Sequence, residues 1–425
     1  MFIGRLVYFL SKKGEEIVVL PFDINTSKKT YTGSIISNSL VVELRNIKEI
    51  HNRKFEEEGI TCEKISLPML APNTEQLETT VSNLGNINVA GMTLSMGGLL
   101  TVLKRLWPLG GQAITIKGSL QESDSEIHLI ALMEGPSARG WDRVIKIKKW
   151  TNEDKIPELI KDLAFMITYD LSKQDITAKT WTSLRYFTEA LDSYSQYIVT
   201  KKPDYLENAL KNCIKASQEE KDYQILFNLF YNLGLSYYDI KDYHSVEDAF
   251  RRCITLMPNN ENGFVGLGAA LSGLGRHEDA LKALDKALEI NPEDAYAWYN
   301  KGYALNDLGR YEDALKAFDK ALEVNPEDAY AWNNKGYALS GLGQNEDALK
   351  AFEKSLEIDP EDAYAWNNKV NALNDLGRQE EALKACEKAL EIDPKNVDAW
   401  NNKGNALNDL GRQEEALKAF EKSLE

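Results

Sequence analysis

Between residues 295 and 425 one side chain returns at a fixed interval: Asn300, Asn334, Asn368 and Asn402 stand 34 residues apart, and Asn333, Asn367 and Asn401 precede three of them. A primary amide offers both a donor and an acceptor, so it matches the peptide unit of an extended chain irrespective of that chain's side chains. Each such bond contributes only about 0.5 to 1.5 kcal/mol net, so several must act together. Tyrosines accompany the amides: Tyr296, Tyr330 and Tyr364 at one offset, Tyr299 beside Asn300, and Tyr303 and Tyr337 further on. Their flat rings with hydroxyl tips suit adaptable contact. A plainer reading stays open beside this one, in which the amides simply bond within or between helices.

Other side chains offer no reaction. Gly91, Gly97 and Gly98 precede an apolar stretch, but neither GxxxxGK[ST] nor GxGxxG spacing is present. Glu122, Asp124 and Glu126 alternate with Ser123 and Ser125, which turn chemistry explains. Ser119 lacks a Gly-x-Ser-x-Gly setting. Cys62, Cys213, Cys253 and Cys386 are scattered with no Cys-x-x-Cys pair, and His51, His128, His244 and His277 form no HExxH or His-Cys cluster. No cofactor, metal or catalytic residue is expected, and the scattered cysteines suit a reducing, cytoplasmic setting.

The elements that would position the amides repeat with them. Residues 295–328 read AYAWYNKGYALNDLGRYEDALKAFDKALEVNPED and 329–362 read AYAWNNKGYALSGLGQNEDALKAFEKSLEIDPED; a fixed period of this length signals a stacked helical array. Trp298, Gly302 and Leu305 recur at helical spacing, and Ala314, Phe318, Ala321 and Leu322 do so after a break, which predicts two amphipathic helices per repeat. Gly309 suits the left-handed position after the first helix, and Pro326 stops the second. Asp328 is placed to cap the next helix. Gly302 and Ala314 are small where two helix axes should cross closely. Val370 and Cys386 replace the small Gly336 and the large Phe352 of the preceding copy.

This pattern of Trp, Gly, Ala, Phe, Ala and Pro resembles the tetratricopeptide repeat family. The resemblance spans 227–425 as repeats 227–260, 261–294, 295–328, 329–362, 363–396 and 397–425, following a helical junction or degenerate repeat over 176–226. Lys301, Lys335, Lys369 and Lys403 stand where the family usually has Leu, and are expected nearer the neighbouring helix than the groove. The family fold implies an all-α solenoid of antiparallel helix pairs whose first helices line a concave groove. It places the recurring asparagines there, in an arrangement similar to the asparagine ladder of the O-GlcNAc transferase repeat region and of importin-type solenoids. The family's carboxylate clamp needs Lys and Arg at groove positions that hold Asn and Tyr here, so acidic tails are disfavoured.

Charge is concentrated in the array. Residues 261–425 carry 19 Lys and Arg against 33 Asp and Glu, a balance of −14 out of −16 for the whole chain. Such a field repels phosphate backbones and argues against nucleic acid. It is read either as a solvated acidic coat or as a surface selective for basic partners. No run reaches the roughly 18 to 20 apolar residues of a membrane span. MFIGRLVYFLSKK at the start is too short and interrupted for a signal peptide, leaving a packed first element or an interfacial membrane anchor.

Residues 1–175 follow another grammar, expected as an α+β domain with a mixed sheet and helices. Strands are predicted at 16–22, 87–90, 112–119, 126–133 and 143–148, helices at 33–50, 97–107 and 154–172, and mainly loop over 60–85. Lys146, Lys148, Lys149 and Trp150 read as an edge strand's wet side or a small basic contact. VVLPFDINTSKKTYTGSIISNSLVVELRNI and ITIKGSLQESDSEIHLIALMEG are similar to the TolB amino-terminal-like domain over about 16–172.

The last second helix is amphipathic to Glu425, and no polar capping helix follows to cover Leu407, Leu410, Leu417, Phe420 and Leu424; the expectation is a truncated array or pairing with another chain. Together these readings imply a non-enzymatic scaffold binding a protein or extended peptide in the groove. The rivals are the regulatory part of a larger enzyme such as a glycosyltransferase, and a peripheral membrane assembly factor.

Overall fold

Apolar periods of 2 and 3.6 alternate before about residue 150 and the helical period alone follows, and the described backbone has the same order. The computed structural model describes residues 16–19, 23–25, 33–52, 69–70, 86–89, 92–95, 113–122, 127–134, 141–146, 156–173 and 176–424. It divides into two units, Met1–Leu229 and Phe230–Glu425.

In the first unit β1 (Glu16–Val19) pairs in parallel with β3 (Met69–Leu70) and β6 (Ala113–Glu122), and β2 (Asp23–Asn25) also joins β6. β7 (Ile127–Glu134) and β8 (Trp141–Lys146) continue antiparallel from β6, with Glu122 opposite Ile127. Among the described residues β8 pairs with β7 alone, so Lys146 lies on an edge strand. Three details differ from the sequence expectation. Of the strand expected at 16–22 the described part is β1, and β2 follows beyond it as an unforeseen short strand; the stretch 60–85 contains β3; and β4 (Asn86–Val89) forms a hairpin with an unforeseen β5 (Met92–Ser95). MTLS is too short for an alternation signal to stand out. The expected helix at 97–107, the amino-terminal anchor and Cys62 lie outside the described residues.

α1 (Gly33–Asn52) buries Ile36, Leu40, Leu44 and Ile47 along one stripe and packs on α2 (Ile156–Ser172) through Leu159, Leu163 and their neighbours. α3 (Trp181–Thr200) and α4 (Pro203–Glu219) then form an antiparallel hairpin. Lys201 turns the chain in the left-handed region at φ 55°, and Pro203 opens α4 at the position where a missing N–H does no harm. Ala209, Cys213 and Ala216 are fully buried against α3 at the spacing of the later second helices.

Helix pairs then succeed one another: α5 (Leu226–Asp239) with α6 (Tyr243–Leu256), α7 (Glu261–Gly273) with α8 (His277–Ile290), and α9 (Ala295–Asp307) with α10 (Tyr311–Val324). α11 (Ala329–Gly341) and α12 (Asn345–Ile358), α13 (Ala363–Asp375) and α14 (Gln379–Ile392), and α15 (Val397–Asp409) and α16 (Gln413–Ser423) complete the helical solenoid. Gly275, Gly309, Gly343, Gly377 and Gly411 all take φ between 68° and 76°, the left-handed turn their spacing predicts. Asp328 accepts from the Ala331 N–H at 3.0 Å, capping α11 as expected. An ideal Cβ on Gly302 would stand 2.6 Å from Phe318, which is why this crossing admits no side chain. In the next-but-one repeat Val370 faces the smaller Cys386, both fully buried in one cluster, so the volume is exchanged across the same contact.

Recurring polar contacts fix one repeat on the next. Trp298, Trp332, Trp366 and Trp400 each donate their indole N–H to the carbonyl of the proline six residues earlier, at 2.8 to 2.9 Å. Lys301 and Lys335 reach Asp285 and Asp319 on the preceding second helix at 2.6 Å, Lys369 reaches Glu353 at 3.0 Å, and Lys403 reaches Glu387 at 3.4 Å. The same ammonium groups lie 4.9 to 5.6 Å from the Trp ring centroids of their own helices. The lysines that depart from the family pattern thus bind the neighbouring helix. At the end of the array Leu407 is buried with Leu383, Ala416 and Ala419, while Leu417 and Leu424 are exposed.

Candidate functional site

Successive first helices, α7, α9, α11, α13 and α15, touch one another directly, and no comparably extensive contact joins successive second helices among the described residues. First helices therefore form the tighter, inner wall of the array. Along α9 the buried stripe is Ala297, Gly302, Ala304 and Leu305, which turns Tyr296, Tyr303 and Asp307 to the opposite, exposed face. Tyr296, Tyr330 and Tyr364 are 63 to 75% exposed, a high value for aromatic rings in an ordered helix. Tyr303 and Tyr337 are exposed one to two turns further along, and Tyr337 also meets Tyr311 edge-on at 6.4 Å.

Tyr299 sits deeper, tilted against Phe318 at 6.2 Å. Burial first, then Asp328 and the surrounding Tyr238, Tyr303 and Tyr330, push its hydroxyl above the usual tyrosine range, so it stays protonated and able to donate. Burial likewise raises Tyr303, helped by Asp307, which accepts its hydroxyl hydrogen, and by Tyr238 and Tyr243. Tyr231 is raised by burial and by Cys253, Asp294 and Tyr296. Tyr238 of α5 thus lies near enough to both Tyr299 and Tyr303 of α9 to act on them electrostatically.

The asparagines are stitched to one another. Asn300 donates to the Tyr296 carbonyl at 2.8 Å, and Asn334 donates to the Tyr330 carbonyl at 2.9 Å and to the Tyr299 hydroxyl at 3.4 Å. Asn368 donates to Asn333 Oδ1 at 3.0 Å and Asn402 to Asn371 Oδ1 at 3.1 Å, both across the gap between successive first helices. Asn367 donates to Asn396 Oδ1, the residue that caps α15, and Asn306 donates to the Asn334 carbonyl. Asn401 is half-buried alongside. The amide donors are thus engaged inside the array, whereas Asn306 Oδ1 and Asn367 Oδ1 are buried without a hydrogen-bond partner.

Sequence reasoning passed over Asn371, an acceptor in this network, and the tyrosines of the first repeat, Tyr231 and Tyr238. Tyr231 occupies the place of Tyr299 two repeats earlier, a signal weakened by the divergence of that copy. No group of three or more His, Cys, Asp or Glu arranged to hold a metal occurs among the described residues. Burial pushes the Cys253 and Cys386 thiols up to about 12, far from the range of a reactive thiolate. No helix of the described residues is long and apolar enough to cross a membrane.

Family models described as tetratricopeptide repeat match residues 227–260, 273–309, 295–328, 317–350, 334–397 and 385–418. Among solved structures, YrrB, described as a tetratricopeptide repeat protein with an unusual peptide-binding site, is 28% identical over 42% of this chain and 92% of that one, with a TM-score of 0.37. A tetratricopeptide repeat protein from Parabacteroides merdae is 19% identical over 56% and 92% of the two chains, TM-score 0.46. A thermophilic one from Thermus thermophilus is 22% identical over 43% and 99%, TM-score 0.39. No curated protein sequence matches the chain.

Proposed function

We propose, on the premise that residues 227–418 are tetratricopeptide repeats and hence an interaction scaffold, that the array is a non-enzymatic adaptor whose inner face receives an extended segment of a partner protein. The observation that carries this reading is the row of exposed rings, Tyr296, Tyr330 and Tyr364, repeated once per helix pair on the wall built by the first helices. Large exposed aromatics at a regular spacing supply contact area with little side-chain entropy to lose. The asparagines support the rings: their donors hold adjacent first helices in register, so the face is ordered before a partner arrives. A peptide then meets tyrosine hydroxyls and the remaining amide acceptors of Asn300, Asn334, Asn368 and Asn402.

The test compares native-extract partners captured by the intact protein and by its Tyr330→Ala/Tyr364→Ala variant. The rings are exposed, so the variant keeps its thermal midpoint and loses the partner. Retention of the same partners at the same yield contradicts the reading. The Asn334→Ala/Asn368→Ala pair weakens capture too, and also lowers the midpoint, because those amides join neighbouring helices. For residues 1–175 we infer an α+β unit of TolB-amino-terminal-like character that acts as a second module in a cytoplasmic protein. This rests on the LPF-containing strand and the Gly-Ser hairpin of the sequence.

A further inference from the structure

We infer that the segment received by this face is basic, with Arg or Lys side chains set over the tyrosines; the inference rests on the groove reading above and gives its ligand a charge. The only cationic residues on α7, α9, α11, α13 and α15 are Lys301, Lys335, Lys369 and Lys403. All four are turned aside, held to carboxylates of the preceding second helices and stacked on their own tryptophans. The arginines at the turns are engaged by second-helix acids as well: Arg276 by Glu247 and Asp279, Arg310 by Asp313, Arg378 by Glu381 and Arg412 by Glu415. What is left facing the inner side is acidic.

Asp239, Asp307, Asp375 and Asp409 end four of the first helices on one rim, all exposed; His277 Nδ1 stands 3.7 Å from Asp307 Oδ2, whereas neither Asp375 nor Asp409 has a cation within ion-pair distance among the described residues. At Asp307 the carboxylate stands beside Tyr303, and Tyr238 of α5, also exposed, lies near enough to act on that tyrosine. A guanidinium suits such a place in two ways at once. Its face stacks on a tyrosine ring, and its N–H edge donates to the carboxylate. An acidic peptide is repelled by this row of carboxylates, and a neutral one leaves them unused.

Fluorescence anisotropy with the intact protein tests this, using short labelled peptides of alternating Arg and Gly, Gln and Gly, or Glu and Gly as probes. The Arg probe is expected to bind about tenfold or more tighter than the Gln probe, with the Glu probe weakest. Replacing Asp307, Asp375 and Asp409 by Asn should weaken the Arg probe by about tenfold. A second variant, Glu323→Gln/Glu357→Gln/Glu391→Gln, changes net charge equally on the outer helices and should shift it by no more than about twofold. Equal losses in the two variants would mean general attraction to an acidic protein and would overturn the inference. Equal binding of the Arg and Gln probes, or binding of neither, also overturns it. In those cases the partner-capture comparison of Tyr330→Ala/Tyr364→Ala still decides the groove reading independently.

Discussion

The exchange of volume between Gly336/Phe352 and Val370/Cys386 gives a quantitative test of how the array is held together. Phe352 is 1% exposed, and an ideal Cβ at residue 336 would stand 2.5 Å from its Cε1 and 2.7 Å from Cδ1. Those are ring atoms without room to swing aside, so Gly336→Val overpacks the crossing by about 1 to 3 kcal/mol, only slightly offset by removing glycine from a helix. Phe352→Cys alone empties most of a buried ring and costs about 3 kcal/mol or more. Together the two changes write the fifth repeat's solution into the fourth. The double variant should therefore recover about 2 kcal/mol of the summed losses, a coupling at the upper part of the range for residues in contact. Urea denaturation of the four proteins, followed by far-UV circular dichroism with the slopes compared, reads this directly. Additive losses, leaving the double variant the least stable of the four, would show that the fifth repeat adapts by moving its backbone and would refute the steric account.

Two further outcomes follow from the polar stitching. Lys335→Met and Asp319→Asn, alone and combined, should give a coupling of about 0.5 to 1 kcal/mol that falls at high salt, since the pair is partly exposed; a coupling insensitive to salt would contradict an ionic origin. Glu247 is acted on upward by burial, but hydrogen bonds and charge from Arg251 and Arg276 hold it below the usual glutamate range. A carboxyl depressed in the folded state stabilises above its unfolded value of about 4.3 and loses that contribution as pH falls through the folded value. Thermal midpoints measured from about pH 6 down to pH 3 should converge between the parent protein and Glu247→Gln at the acid end; parallel curves would be the contrary result.

Much of this was legible in the chain because local signals and packing agree. The Gly309 and Pro326 series marks each turn and stop, Asp328 and its equivalents cap the helices they precede, and the displaced lysines lie against the neighbouring helix as their position implied. Less legible was anything that depends on which helix faces which. Val370 and Cys386 each stand out in the sequence, but only the packed hairpin shows that they are two halves of one substitution. The asparagines show the same limit. Their period announces a ladder, while the direction of each amide, toward Asn333 from Asn368 or toward Asn371 from Asn402, depends on the distance between successive first helices. β5 was missed because four residues carry too little periodicity to outweigh their glycine-rich surroundings.

Site-specific photocrosslinking tests the binding account most directly: a photoreactive amino acid is placed at Tyr330 on the inner face in one protein and at Lys316 on the outer helix α10 in another. Each is irradiated in native extract and the adducts are mapped by mass spectrometry. The account predicts that position 330 yields adducts with a contiguous, Arg- or Lys-containing segment of a partner protein and that position 316 does not. Adducts of the same partner from position 316 and none from position 330 would contradict it.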